Sequence, residues 1–363
     1  MRNINFSQLD ENATRKSIIN RLRADRLPVV IYGAGNFGKF AAKELLNNNI
    51  PILCFLDLEQ YWTPAKTVTV CDREIQCVNK AQLSKISIPY NLLLGLADYT
   101  LLEETQHTFC HCNIVEFLEA VPYHMISRQF LAENRESFEE LYTNLCDKES
   151  QDVLTAYLYG RYTGDIAALS NLVHNSKYLY DWDLLALSKD DIVVDGGAYV
   201  GDSILEMEEY LNGLPQKVFA FEPDEINRKK CENIFSLEQL EHICLIGSGL
   251  YHRDGILRFS GLGTQASTIS ENGEFSIPVQ AIDKHIEYES VSVIKMDIEG
   301  SELDALHGCE KLILARKPRL AICIYHRNQD IVEIYNYLKQ FGYKFYLRQH
   351  RPFLTETVLY AIP

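Results

Sequence analysis

No apolar run in this chain is long enough to span a bilayer, and the opening MRNINFSQLDENATRK has no apolar core of the signal-peptide kind. Both absences point to a cytoplasmic protein. Positive charge is also scarce: 35 Lys and Arg face 50 Asp and Glu, for a net charge of −15. A net charge of that sign argues against nucleic acid or an anionic membrane as the main partner, because both recruit basic patches. Low-complexity tracts are missing, and residues 125–177 contain no proline and two glycines, which argues against a flexible linker there. The ten cysteines lack the paired spacing of a zinc finger. Cys110-His111-Cys112, with His107 nearby, forms the one ligand-like cluster and has no second pair, so the thiols are read as reduced and the cluster as metal-free.

What is present suits two globular domains. The chain has 363 residues, 47% of them apolar. Residues 7–27 read as a polar helix leading into a buried strand, Val29–Tyr32. The turn Gly33-Ala-Gly35-Asn-Phe-Gly38, a helix over Lys39–Asn47 and a strand Ile52–Leu56 follow; Asp57 stands nineteen residues after Gly38. That is the strand–turn–helix–strand context of a dinucleotide fingerprint. Strand-like runs recur near 67–70, 91–96 and 113–116, which closes a Rossmann-like domain over 1–122. Residues 123–177 form a helical connector: Phe138, Leu141 and Leu145 share a face, as do Leu154, Tyr157, Leu158 and Arg161.

A second α/β domain occupies 178–363. Its strands are read as Ile192 onward, Val218–Phe221, His242–Ile246, Val293–Met296 and Leu320–Ile324, closed by an antiparallel pair, Lys344–Leu347 with Thr357–Ala361. Ser203 and Glu206 have capping-box spacing, with Ile204, Met207 and Leu211 on one stripe. The first strand ends in Asp195-x-Gly197-x-x-x-Gly201, which departs from the G-x-G-x-x-G of dinucleotide folds. It is the spacing of the first βα turn in S-adenosylmethionine (SAM) methyltransferases. SAM carries an amino-acid tail and a sulfonium instead of a pyrophosphate, so the turn must admit a bulky zwitterion, and a strand-end carboxylate suits its positive groups.

The chemistry-bearing residues fall at strand ends. Asp195, Gly197, Ala198, Tyr199, Gly201, Asp202 and Ser203 form the expected cofactor turn. Glu222, twenty-one residues after Gly201, is placed to accept both ribose hydroxyls, with Pro223, Asp224 and Asn227 extending its loop. Gly249 and Leu250 follow the third strand, where an apolar residue packs on adenine or under the loop. Asp297 and Glu299 end the fourth strand and His326 the fifth. A hydroxyl acceptor needs alignment and a base, so these three are the expected catalytic residues. Glu302 reads as a cap or a solvated acid of the next helix. An alternative makes Asp297, Glu299 and His326 ligands of a divalent metal that acidifies a hydroxyl.

VVDGGAYVGDS (Val193–Ser203), FAFEPDEINR from Phe219, VIKMDIEGSELDAL from Val293, PRLAICIYHR from Pro318 and YLRQHRPFLTETVLYAI to Ile362 together resemble the FkbM family of SAM-dependent methyltransferases. Asp147–Asp165 and the stretch from Asn175 resemble that family's lead-in. The resemblance covers roughly the last three-fifths of the chain. It implies a seven-stranded methyltransferase fold, SAM as donor, and a hydroxyl of a sugar, glycan or related metabolite as acceptor. It also puts Asp195, Gly197, Gly201, Glu222 and Asp297 in the SAM site, His326 at the family's Tyr-His position, and His350 before the final strand. Tyr178 and Tyr180 fall where the lead-in would lid the cofactor.

The first domain resembles nucleotide-sugar-binding modules, with Gly33, Gly35, Gly38 and Asp57 as a second nucleotide site. Two alternatives use this half differently. One is an NAD(P)-dependent sugar oxidoreductase, against which stands the lack of a Tyr-x-x-x-Lys or similar pair. The other is a dimerisation or substrate-tethering module, which implies a homodimer.

Overall fold

The computed structural model describes residues 11–57, 59, 61–95, 109, 111–117, 125–174, 177–260, 268–269, 275–285, 288 and 290–363. His107, Cys110 and the expected boundary at residue 122 lie outside the described residues. The chain forms two compact units. One comprises Met1–Glu133, Thr155–Leu172 and Arg351–Leu354; the other comprises Asn134–Leu154, Val173–His350 and Thr355–Pro363.

The first unit is built on six strands: β1 (Val29–Tyr32), β2 (Ile52–Leu56), β3 (Thr67–Val70), β4 (Arg73–Val78), β5 (Tyr90–Leu94) and β6 (Cys112–Phe117). They lie in the order β3-β4-β2-β1-β5-β6. All neighbours are parallel except β3 and β4, which form a hairpin. Parallel strands need crossovers, and their faces must be covered, hence the aliphatic runs VVIY and YNLLL. The predicted leading helix is Ala13–Asp25; it buries Ile18, Ile19 and Leu22 with Ala41, Leu45, Phe55 and Leu93. The second helix starts at Asn36, earlier than expected. Gly38 is what lets this helix sit close: a Cβ there would come within 1.9 Å of the Gly33 carbonyl oxygen.

The second unit holds a seven-stranded sheet of β7 (Ile192–Gly196), β8 (Lys217–Phe221), β9 (Ile243–Ile246), β14 (Val293–Met296), β15 (Arg319–Cys323), β16 (Lys344–Gln349) and β17 (Thr357–Ile362). The order is β16-β17-β15-β14-β7-β8-β9, with β17 antiparallel to both neighbours and the other pairs parallel. The expected closing reversed pair is therefore present. Ile204 and Met207 of the helix Asp202–Leu211 pack on Val193, Val218 and Val293, with Trp182 and Tyr360 in the same core. Full burial of one such aliphatic side chain contributes about 1.5–3 kcal/mol.

Between β9 and β14 the chain adds a small sheet that the sequence reading did not anticipate. It consists of β10 (Gly249–Leu250), β11 (Gly255–Ser260), β12 (Thr268–Ile269) and β13 (Phe275–Gln280), ordered β10-β13-β11-β12. Its apolar cluster is small, Ile277 and Val279 with Tyr251 and Leu257 against them, and Pro278 interrupts the strand signature of β13. Among the described residues, no helix is long and apolar enough to cross a membrane.

Candidate active site

Strand order reverses between β7 and β14: β8 and β9 extend one way, β15 the other. In open α/β sheets such a switch point opens a crevice at the carboxyl ends of the strands. The residues read as functional after β7, β8, β14 and β15 all belong to that edge.

The turn after β7 is held from both sides. The amides of Gly197 and Ala198 donate to the Phe221 carbonyl, and the Asp297 amide donates to the Gly196 carbonyl. Gly197 has φ +75°, and a Cβ on it would lie 1.9 Å from the Asp297 carbonyl oxygen. The β7 and β14 strand ends thus touch backbone to backbone at this glycine. Tyr199, at φ +47°, is pushed out and stays exposed.

Asp195 is fully buried, and its charge is already engaged. Lys295 Nζ lies 2.9 Å from its Oδ1, and the Ser203 hydroxyl donates to its Oδ2 at 2.5 Å. Lys295 also donates to the Gly196 and Gly197 carbonyls at 3.2 and 2.8 Å and lies 5.5 Å from the centre of the Tyr180 ring. Burial works against the lysine's charge, yet Asp195 and Asp297 hold its pKa above the ordinary value. Asp195 therefore shapes the turn, and the positive group it meets is this lysine. The expected capping box is corrected here. The N-cap is Gly201, Ser203 faces the buried carboxylate, and Glu206 accepts the Leu179 amide at 2.8 and 3.0 Å. A buried carboxylate needs a donor more than an exposed helix end does. Asp202, half-buried, has its pKa raised by desolvation.

Glu222 ends β8 and is 7% exposed. Its Oε2 accepts the Tyr199 amide at 2.9 Å and its Oε1 the Asp224 amide at 2.8 Å. Desolvation pushes its pKa up to about 7 against these two bonds. Each carboxylate oxygen keeps a further lone pair, which suits a vicinal diol. Asp224 caps the helix Glu225–Ile234, its side chain accepting from the Ile226 and Asn227 backbone amides. Arg228 braces the loop by donating to the Glu222 carbonyl at 2.8 Å. Gly249 and Leu250 form β10, and Leu250 lies over Gly196, where a Cβ would meet its Cδ1 at 2.9 Å.

Across the switch point, β14 and β15 bring Asp297 and His326 together. His326 Nε2 lies 3.2 Å from Asp297 Oδ1 and 3.7 Å from Glu299 Oε2; the Tyr325 hydroxyl donates to Asp297 at 3.0 Å. Glu302, expected to be a cap or a solvated acid, is fully buried. It lies 2.9 Å from His326 Nδ1 and accepts the Ile298 amide at 2.8 Å. Burial opposes charge on His326, but Glu302 and Asp297 hold its pKa well above the usual histidine range. Burial likewise opposes charge on Asp297, and the His326 hydrogen bond keeps it below the usual carboxylate range. Glu299 is pushed up to about 8 by desolvation, partly countered by His326.

Sequence reasoning missed Lys295 and Glu302. A lysine inside the run VIKM and a glutamate i+3 from Glu299 were the available signals. His350 lies in the core with Nε2 2.8 Å from the Tyr360 hydroxyl. Tyr178 and Tyr180 are buried in the core cluster that holds Trp182 and Tyr360.

In the first unit, the glycine turn after β1 runs through Gly33 at φ +108° into the helix that starts at Asn36. Asp57 is 6% exposed and paired with Lys66 Nζ at 2.5 Å.

Comparison with known proteins adds the following. Residues 195–345 match the family model described as the methyltransferase FkbM domain. No match was found among curated proteins. Among solved structures, the chain is similar to a methyltransferase FkbM from Methylobacillus flagellatus KT, with 24% identity and a TM-score of 0.67 over 94% of this chain and 92% of that one. It also aligns with an rRNA methylase from Streptococcus thermophilus at 22% identity and a TM-score of 0.33, covering 49% of this chain and 90% of that one. A third is the fibrillarin of Aeropyrum pernix with natively bound S-adenosyl-L-methionine, at 12% identity and a TM-score of 0.31, covering 48% and 67% of the two chains.

Proposed function

We propose, from the match of residues 195–345 to the methyltransferase FkbM domain, that the chain is a SAM-dependent O-methyltransferase. Its acceptor is a hydroxyl of a sugar, glycan or related metabolite, modified in the cytoplasm. The observation that carries the reading is the strand-end arrangement. Glu222 stands on one side of the switch point with two bonded amides and two remaining lone pairs, and Asp297 pairs with His326 on the other.

Bound SAM supplies an electrophilic methyl group on a sulfonium. Glu222 takes the ribose hydroxyls, while the turn Gly197–Gly201, fixed by Lys295 and Asp195, receives the amino-acid tail through its backbone. Leu250 flanks the adenine side. Asp297, Glu299 and His326 align the acceptor hydroxyl, the ionised Asp297 carboxylate receives its proton, and alignment itself lowers much of the barrier to an in-line displacement. The first unit is proposed as a dimerisation or substrate-tethering module: the carboxylate that a nucleotide ribose would need, Asp57, is committed to Lys66.

The test incubates the full chain with methyl-tritiated SAM and a panel of free sugars, oligosaccharides and glycosides. Label in a neutral product that survives alkaline hydrolysis, a methyl ether, is the predicted result. Label released by base as from a methyl ester, or retained on an amine, would overturn O-methylation of a hydroxyl.

A further inference from the structure

The helix Ala13–Asp25 runs against the charge of its chain. Arg15, Lys16, Arg21 and Arg23 face Asp25 alone, a net +3 over 13 residues of a protein whose total is −15. Beside it lies a groove of about 490 Å³, within the range of small-ligand sites. Glu44 and Asn48, at the end of the helix Asn36–Asn47, line its other side. All of these residues belong to the first unit.

Some of the lining groups hold one another and some do not. Arg15, 8% exposed, has its guanidinium 3.2 Å from Glu44 Oε2, and Asn48 donates to Glu44 Oε1 at 3.3 Å. Those contacts fix the carboxylate in the groove wall. Arg23 donates to Asn48 Oδ1 at 2.8 Å from a guanidinium that carries five N–H groups. Lys16 and Asn20 have no side-chain partner among the described residues. Lys16, Asn20 and Arg23 are spaced i, i+4 and i+7, so they share one exposed face of the helix. The two cations stand two turns apart, about 10 Å along the axis.

Three cations and one carboxylate give the lining a net charge of +2. It suits a partner whose negative charges are few and separated. A nucleic acid is a poor match, because its charges are dense and the rest of this chain repels them. An acidic saccharide suits each group in turn. Its carboxylates pair with Lys16 and Arg23 in charge-assisted bonds, and its hydroxyls donate to Glu44 and exchange hydrogen bonds with Asn20. Carboxylates on alternate residues of such a chain are separated by two sugar rings, the scale of the Lys16 to Arg23 spacing.

We propose that this groove binds an acidic saccharide, with Lys16 and Arg23 taking carboxylates two sugar residues apart and Glu44 taking a hydroxyl. Its role as a tether for a glycan acceptor rests on the methyl-transfer reading; the existence of the site does not.

The probe is a hyaluronate hexasaccharide, whose carboxylates sit on alternate residues, titrated calorimetrically into the full chain. Its carboxyl-reduced neutral form and a uridine hexanucleotide are titrated alongside. Wild type is compared with the double variant Lys16→Gln, Arg23→Gln, which keeps two good helix formers on an exposed face; thermal melts show that the variant is folded. Binding of the hexasaccharide by wild type is expected, at least tenfold weaker for the double variant and for the neutral form. No binding by wild type, or equal binding by the double variant, would overturn the site. The hexanucleotide binding as tightly as the saccharide would also overturn it and assign the groove to polyanions at large. SAH is titrated into both proteins in the same buffer. SAH binding without saccharide binding would reject the groove and leave the methyl-transfer reading standing; saccharide binding without SAH would do the reverse.

Discussion

Lys295 sits in β14 between aliphatic neighbours, a position that ordinarily excludes a charge. It is tolerated because Asp195, on the paired strand β7 in direct register, supplies the opposite charge. Removing one partner of a buried pair strands the other, so Lys295→Met is predicted to destabilise the protein by about 3–5 kcal/mol in urea unfolding. Adding Asp195→Asn should recover much of that loss, because the amide can still bond Ser203. A double variant no more stable than the single one would contradict the pairing.

Glu222 gives a pH signature. Its folded-state pKa is raised to about 7 from an ordinary 4.5, so the native chain holds this proton where the unfolded chain has lost it. Its contribution to stability is therefore favourable at low pH and declines as pH rises from 4.5 to about 7. Ribose hydroxyls donate to the ionised form, so ligand binding should expel the proton. SAH affinity is predicted to rise across that window, with proton release measurable by calorimetry in buffers of different ionisation enthalpy. Glu222→Gln should abolish both effects; a wild type with flat affinity across the window would contradict the assignment.

At the level of elements, the site depends on how closely β7 and β14 end against each other. Gly197 is the contact point, and only a residue without Cβ fits beside the Asp297 carbonyl. Gly197→Ala combines left-handed strain with direct overlap and is predicted to cost at least about 1–3 kcal/mol. Urea unfolding would register the loss, and an unchanged midpoint would contradict the backbone contact. The glycine spacing, the aliphatic strands and the reversed closing pair were legible because period, run length and turn chemistry are local. Ser203 and Glu206 show where local reading stops. Their spacing is that of a cap, but a buried carboxylate from another element captured the hydroxyl. Glu302 was hidden for the same reason, since its partner His326 lies in the loop after β15. The small sheet β10–β13 escaped because its apolar face is short and contains Pro278.

At the level of the whole molecule, the chain carries two glycine turns at the ends of parallel strands, G-x-G-x-x-G after β1 and D-x-G-x-x-x-G after β7. Side-chain chemistry separates them. After β2, Asp57 is neutralised by Lys66; after β8, Glu222 accepts two amides and has lone pairs left for a diol. That difference lies in the partners of each carboxylate, which sequence spacing does not reveal. The account therefore assigns a single donor site per chain, in the second unit. Calorimetric titration of the full chain with SAH, on wild type and Glu222→Ala, tests this most directly. One SAH per chain, lost on substitution with the fold intact by circular dichroism, is the predicted result. Undiminished binding by Glu222→Ala, or no binding by folded wild type, would contradict it.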